Sequence, residues 1–308
     1  MPPKVLRFSG LARDQPLRVK LFGVGSAGCS IIDNSQLPTV ALSTSSDDLA
    51  RSHAQRKVLV GPDRLVGIAS VRHGLLKHLS SAVGHEILDM FNNTDLAFLM
   101  CGLGGLTGSL GSQVLASVCS AKGIPCIAIT ATPFSAESIR RREMASKAIE
   151  GLLKSSTLCL DFDNDKLSSL APNMPLSRVF AVMNSIMMRP ALDLLSSIPR
   201  SEVSLLVQAL GDSNYGRFGL GLGRGDERVE RAVAEAMDSP WFDFPLSDAG
   251  AAVVVYSSAD PWDREAERII ELTGARLPGA TIAFGSYADP MLNDRIRVSA
   301  IVARKRPA

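Results

Sequence analysis

Paired cysteines, a basic excess and an uninterrupted membrane-length apolar run are all missing from this 308-residue sequence. Its five cysteines (Cys29, Cys101, Cys119, Cys126, Cys159) are scattered through apolar segments with no paired spacing. That excludes a disulfide framework and reads as small core residues in a reducing compartment. No metal-ligand spacing ties them to His53, His73, His78 or His85. The 33 basic residues stand against 31 acidic ones, a net charge of +2, so the electrostatic footprint of a nucleic-acid binder is absent. The opening MPPKVLRFSG has no apolar leader, no integral membrane segment is expected, and the chain is placed in the cytoplasm. Internal repeats and low-complexity linkers are lacking too.

What is present is apolar sequence spread along the whole length, 46% hydrophobic against 21% charged, which suits a packed α/β protein. The first half repeats one pattern: an apolar run, a Gly- or Ser-rich turn, then an amphipathic segment. VKLFGVG (19–25), PTVALSTSSDD (38–48), LAFLMCGLGG (96–105), IPCIAITATPF (124–134) and STLCLDFDND (156–165) are the runs. SLGSQVLASVCSAKG (109–123) has helical spacing closed by Gly123. Strands alternating with helices predict a parallel sheet covered on both faces. Leu176 to about Ser196 reads as a long apolar helix that Pro190 should kink or shorten. Beyond it come a turn-rich stretch, GDSNYGRFGLGLGRGD (211–226), then helices over DERVERAVAEAMDS and near 262–274. The strands there, AAVVVYSS, TIAFGS and IRVSAIVA, are short, and the last alternates apolar with polar residues. This predicts a smaller mixed domain with one solvated sheet face.

Two glycine loops follow predicted strands. In Gly23-Val-Gly25-Ser-Ala-Gly28 the glycines let the backbone turn and bring N–H groups near phosphate oxygens, with a helix N-terminus behind. Alone it fits a dinucleotide-binding dehydrogenase or a plain tight turn equally well. Gly102-Leu-Gly104-Gly105-Leu-Thr107-Gly108-Ser109 is a second anion cradle, with hydroxyls at Thr107 and Ser109. Two cradles on neighbouring strands suit a di- or triphosphate held between them.

At this second loop the sequence resembles the tubulin/FtsZ superfamily, GGLTGS being similar to its GGGTGTG signature. GVGSAGCS resembles the family's first loop, GVGGGGNN. Pro133-Phe134-Ser-Ala-Glu137 with Arg141 resembles PFxxE…R, and Asn164-Asp165-Lys-Leu167 resembles NDxL. GRGDERVERAVAEAMDSP and FGSYADPMLNDRIRVSAIVA resemble later family segments, so the likeness runs from about Val19 to Val302. The resemblance implies an α/β fold: a Rossmann-type parallel-sheet nucleotide domain (1–174), a long central helix (175–197) and a mixed α+β C-terminal domain (198–308). It also implies a nucleotide site. Gly25, Ser26, Ala27, Gly28 and Ser30 form one side, and Gly104, Gly105, Thr107, Gly108 and Ser109 the other. Glu137 and Arg141 meet ribose and phosphate, Asn164 comes from NDxL, and Phe180 and Asn184 hold the guanine. Their chemistry agrees: Phe180 can stack on a purine, Asn184 offers donor and acceptor, and Arg141 carries a planar fork. The plain alternatives are a core aromatic for Phe180 and buried filler for Cys29.

Departures from the family gather where hydrolysis occurs. Its NxDxxD loop, which polarises water in the next subunit's site, corresponds to Ser197-Ile-Pro199-Arg200-Ser-Glu202, leaving Glu202 as the one carboxylate. Arg200 could enter a neighbour's phosphate site, or be a solvated loop charge. The GAGANP loop is replaced by Gly67-Ile-Ala-Ser70-Val-Arg72-His73, and the NTD turn by Ser43-Thr44-Ser45, which removes an acid that organises metal and phosphates. After the last strand only RKRPA remains where the family continues into a linker and a partner-binding peptide, so that tether is expected to be absent.

The resemblance therefore implies a GTP- or GDP-binding protein that assembles with itself head to tail, with weak or absent hydrolysis. Mg2+ dependence stays open because of Ser45, and co-assembly with a conventional FtsZ is compatible with the sequence. An active GTPase using Glu202 is one alternative. A NAD-dependent oxidoreductase, with Asp47 or Asp48 on the ribose, is another, though no hydride-transfer site follows.

Overall fold

The computed structural model describes residues 3–10, 17–33, 35–70, 82–170 and 175–304. Arg72, His73 and His78, and all of the RKRPA tail except Arg304, lie outside them. The chain divides into two compact units, Arg18–Met188 and the combination of Met1–Leu17 with Arg189–Ala308.

The strands are β1 (Lys4–Arg7), β2 (Val19–Val24), β3 (Thr39–Ser43), β4 (Arg56–Leu59), β5 (Leu96–Gly102), β6 (Cys126–Thr132) and β7 (Leu158–Asp163), then β8 (Tyr215–Arg224), β9 (Ala251–Ser258), β10 (Thr281–Ala288) and β11 (Arg295–Arg304). In Arg18–Met188 they lie in the order β4-β3-β2-β5-β6-β7, and every neighbouring pair is parallel. Each apolar run of the first half has become a strand of this sheet. Leu96 through Cys101 are all 0% exposed, as a strand covered on both faces demands. Each such leucine or phenylalanine contributes roughly 1.5–3 kcal/mol by leaving water. Between β5 and β6 a π-helical turn, Thr107–Gly111, leads into the helix Ser112–Lys122, which ends on left-handed Gly123 (φ 67°).

The helix Leu176–Ser197 is continuous, with Pro190 inside it. The proline deletes one backbone donor without shortening the helix. Its buried residues Val179, Met183, Met187, Ala191 and Leu194 fall every three or four positions, the mark of a helix with one face in a core. Arg178–Ser197 is also long and apolar enough to cross a membrane by length and composition, at mean hydropathy 1.2.

In the second unit the order is β8-β11-β9-β10-β1. Here β11 is antiparallel to β8 and β9, while β9, β10 and β1 are parallel. Segment 4–7 thus pairs with β10 and not with the sheet that follows it in sequence. Two expectations are corrected. The turn-rich stretch forms β8, a ten-residue strand. A Cβ on Gly219, Gly221 or Gly223 would fall 1.8, 1.9 or 1.7 Å from the carbonyl oxygens of Ala236, Ala232 and Arg228. These glycines lie on one face of β8, under the helix Arg228–Met237. Two strand residues advance about 6.7 Å and four helical ones about 6 Å, so the two backbones stay in step.

The solvated face expected of β11 is also absent, because its polar residues Arg297 and Ser299 are 9% and 3% exposed. Their charged and hydroxyl groups are paired internally, although the Arg297 Nε is buried without a partner. Arg297 donates to Asp289 at 2.8 Å and to the Tyr287 hydroxyl at 2.7 Å, and Ser299 donates to Asp193. Asp193, 2% exposed, also accepts from Tyr287 at 2.7 Å and pairs with Arg189 at 2.8 Å. The alternating pattern therefore encodes a buried polar layer, which is tolerable because its charges are paired.

Candidate functional site

A cavity of about 710 Å3 opens in the unit Arg18–Met188. Its floor begins where β2 ends. Gly25, at φ 72°, turns the chain directly into the helix Gly25–Ile32, whose first turn carries neither an acid nor a side-chain cap. The N–H groups there remain available to an anion, with the helix dipole behind them. A Cβ on Gly25 would lie 3.3 Å from the Gly108 nitrogen, so the two glycine loops abut. The Thr107 hydroxyl meets the Thr44 hydroxyl at 2.6 Å, joining the second loop to the end of β3.

Aromatic and amide side chains complete the lining. Phe180 is 40% exposed and lines the cavity; it does not fill the core. Its ring stands edge-on to that of Phe134, with centroids 6.2 Å apart. Asn184 donates from Nδ2 to the Ser30 hydroxyl at 3.1 Å, which ties the helix Leu176–Ser197 to the helix Gly25–Ile32. The loop between β6 and the helix Ile139–Ser155 is held from two sides. Glu137 accepts the Phe134 N–H at 2.9 Å and pairs with Arg141 at 3.1 Å, while Asp165 accepts the Ser135 N–H at 3.0 Å.

Of the residues expected from the sequence, Gly25, Ser26, Ala27, Ser30, Gly105, Thr107, Gly108, Glu137, Arg141, Asn164, Phe180 and Asn184 line this cavity. Three others support it from outside. Gly28 sits against β5, where a Cβ would be 2.2 Å from the Met100 oxygen, and Gly104 adopts φ 91° beside Arg141. Ser109 is 1% exposed and its hydroxyl accepts the Gly104 N–H at 3.0 Å, so it shapes the loop from within. Glu202 belongs to the other unit, where both of its carboxylate oxygens accept from Ser9.

The sequence reading missed Phe134, Met183 and Met187 as cavity walls, and it offered Asp48 only as a ribose contact in the dehydrogenase alternative. The methionines carried a usable signal, since they share a helix face with Phe180 and Asn184 at three- and four-residue spacing. Cys29 is buried, and its thiol is pushed up to about 12 by burial first and by the Asp48 and Asp33 carboxylates next, which makes it inert filler. Among the described residues no group of three or more His, Cys, Asp or Glu could hold a metal ion.

Comparisons with known proteins agree with this geometry. Residues 18–172 match the GTPase domain of the Tubulin/FtsZ family, and residues 215–304 match the C-terminal domain of the FtsZ family. The cell division protein FtsZ of Methanothermobacter thermautotrophicus is 31% identical, covering 94% of this chain and 80% of the relative. FtsZ 1 of Thermococcus kodakarensis is 28% identical over 92% of this chain and 80% of its own length. An empty FtsZ dimer of M. jannaschii superposes with a TM-score of 0.82 at 24% identity, covering 94% of this chain and 88% of that one. CetZ2 from Haloferax volcanii, solved as a GTPγS-bound protofilament, gives 0.75 at 19% identity, covering 95% and 94%. At those identities the solved structures speak for the fold, and the family models and curated relatives carry the assignment. The chain belongs to the tubulin/FtsZ family.

Proposed function

We propose that this chain binds GTP or GDP in the cavity of Arg18–Met188, stacks head to tail with copies of itself, and turns the nucleotide over slowly. The observation that carries the reading is the lining of the cavity. Two glycine loops and a helix N-terminus contribute one part of its lining, and Phe134, Phe180 and two asparagines contribute another. Phosphates suit the first part and a purine the second. Family membership supports head-to-tail stacking, and a contact between two different faces propagates into an open filament. Slow turnover is supported by the loop Ser197–Glu202, which offers one carboxylate, already bonded within its own unit. A divalent cation fits the phosphate part, where Asp48 and hydroxyl oxygens are hard donors and the phosphates complete the shell. When bound it would neutralise phosphate charge.

The test is phosphate release from GTP across a series of protein concentrations, run beside sedimentation in GTP and in GDP. Nucleotide binding with pelleting in both, and release near background, is the expected result. A rate per subunit that climbs steeply with concentration would replace this reading with that of an active GTPase. No nucleotide binding at all would remove it.

A further inference from the structure

We infer that Asp48 holds the divalent cation against the nucleotide's phosphates, taking over from the acid absent at Ser45. The inference rests on the nucleotide reading of the cavity.

Asp48 lines the same cavity wall as Ser26 and Thr107 of the two glycine loops. Its carboxylate is aimed. The Ser43 hydroxyl, 0% exposed, donates to Oδ2 at 2.9 Å, and the side chain is 14% exposed. The backbone is fixed as well, the Asp48 N–H bonding to the capping Ser45 hydroxyl at 3.4 Å. An anion held this firmly beside phosphate loops would repel a triphosphate unless a cation stood between them. The cation now on Asp48 is Arg51, at 3.2 Å, but that side chain is 76% exposed and free to swing into solvent.

A second observation gives the ion room once Arg51 swings out. A polar cavity of about 310 Å3 adjoins the first; Asp48, Ser26 and Ser30 line both, and Arg51 lines the smaller one. The other carboxylate there, Asp33, is already committed to the Ser52 hydroxyl at 3.0 Å and the His53 N–H at 2.7 Å. Magnesium keeps several of its waters and binds through one or two carboxylates plus phosphate oxygens, which matches one available carboxylate flanked by hydroxyls. With no three-ligand group among the described residues, the ion should bind only together with nucleotide.

The experiment uses the full chain and a fluorescent GTP analogue, titrated in magnesium and in EDTA, with Mn2+ paramagnetic resonance as an independent readout. Ion and nucleotide are reciprocally coupled, so the wild type should bind roughly 10-fold more weakly in EDTA. Asp48→Asn should bind alike in both buffers, should exceed the wild type in EDTA because the repulsion is gone, and should leave the Mn2+ signal free. Ser43→Ala keeps the carboxylate but releases its orientation, and should cost roughly 10-fold in Mn2+ affinity while the chain melts normally. That variant decides the matter if Asp48→Asn does not fold. A wild-type magnesium-to-EDTA ratio in Asp48→Asn, or unchanged Mn2+ affinity in Ser43→Ala, overturns the inference. A wild type that binds no nucleotide in either buffer removes the nucleotide reading itself, and this inference falls with it.

Discussion

Ser9 grips Glu202 at two points: its backbone N–H donates to Oε2 at 2.9 Å and its hydroxyl donates to Oε1. The carboxylate proposed above as the remaining candidate base is thereby occupied from within its own unit. Held at both oxygens, the side chain cannot move to a water without giving up two hydrogen bonds. Ser9→Ala, which keeps the N–H contact, is expected to raise residual phosphate release by up to about tenfold. Glu202→Gln should return it to background. Equal rates in all three proteins would make the clasp purely architectural.

Phe180→Ala separates binding from stability. The ring is 40% exposed, so its loss should leave the melting temperature nearly unchanged. Stacking on a base contributes about 1–3 kcal/mol, which predicts a nucleotide affinity lower by roughly 5- to 150-fold. Phe180→Tyr should restore most of it. A fluorescent-nucleotide titration beside a thermal melt checks both halves.

Two glycines make opposite predictions. Gly221→Ala drives a Cβ to within 1.9 Å of the Ala232 oxygen, a backbone atom with little freedom to move. It should cost about 3 kcal/mol or more. Gly67, inside the helix Pro62–Ala69, has nothing within 4 Å of the place an added methyl would take, so Gly67→Ala should stabilise by about 0.5–1 kcal/mol. Denaturant unfolding of the two variants should bracket the wild type.

Acid should unfold the second unit through specific carboxylates. Burial pushes the Asp243 carboxyl up, but the hydrogen bond and charge of Arg217 outweigh it and hold the group below its ordinary value. Asp289 is held down against burial by Arg297 in the same way. A depressed folded-state value means stability that is complete above the unfolded carboxyl range, at about 4. It is lost as the pH falls through the folded-state value. Melting temperature should therefore be flat above about pH 5 and drop below about pH 4. Asp243→Asn should melt lower at neutral pH, with a shallower acid limb.

How far the sequence reached follows the physics of each segment. A run such as LAFLMC needs no context, since a strand covered on both faces must be apolar throughout, and it became β5. β8 was hidden because its glycines imitate a turn, when their purpose is to admit helix carbonyls that only the tertiary structure supplies. β1 and β4 are four-residue strands, too short for a period to show. Arg297 and Ser299 looked solvent-facing because alternation cannot distinguish water from a buried partner such as Asp193. The glycine loops, Phe180 and Asn184 were legible as motifs. Asp48 was legible only as a ribose acid in the dehydrogenase alternative, because its place in this cavity depends on how the helix Ser46–Arg51 folds back beside β3.

The contact of β8 with the helix Arg228–Met237 has a mechanical consequence. At Gly219, Gly221 and Gly223 the strand contributes no side chain to the seam, hence no rotamers of its own to hop and no soft methyl groups of its own to compress. Elsewhere in a protein a small displacement is absorbed by such adjustments. Here strand and helix should travel largely as one stiff plate, and strain applied to the helix should pass to the strand with little side-chain adjustment.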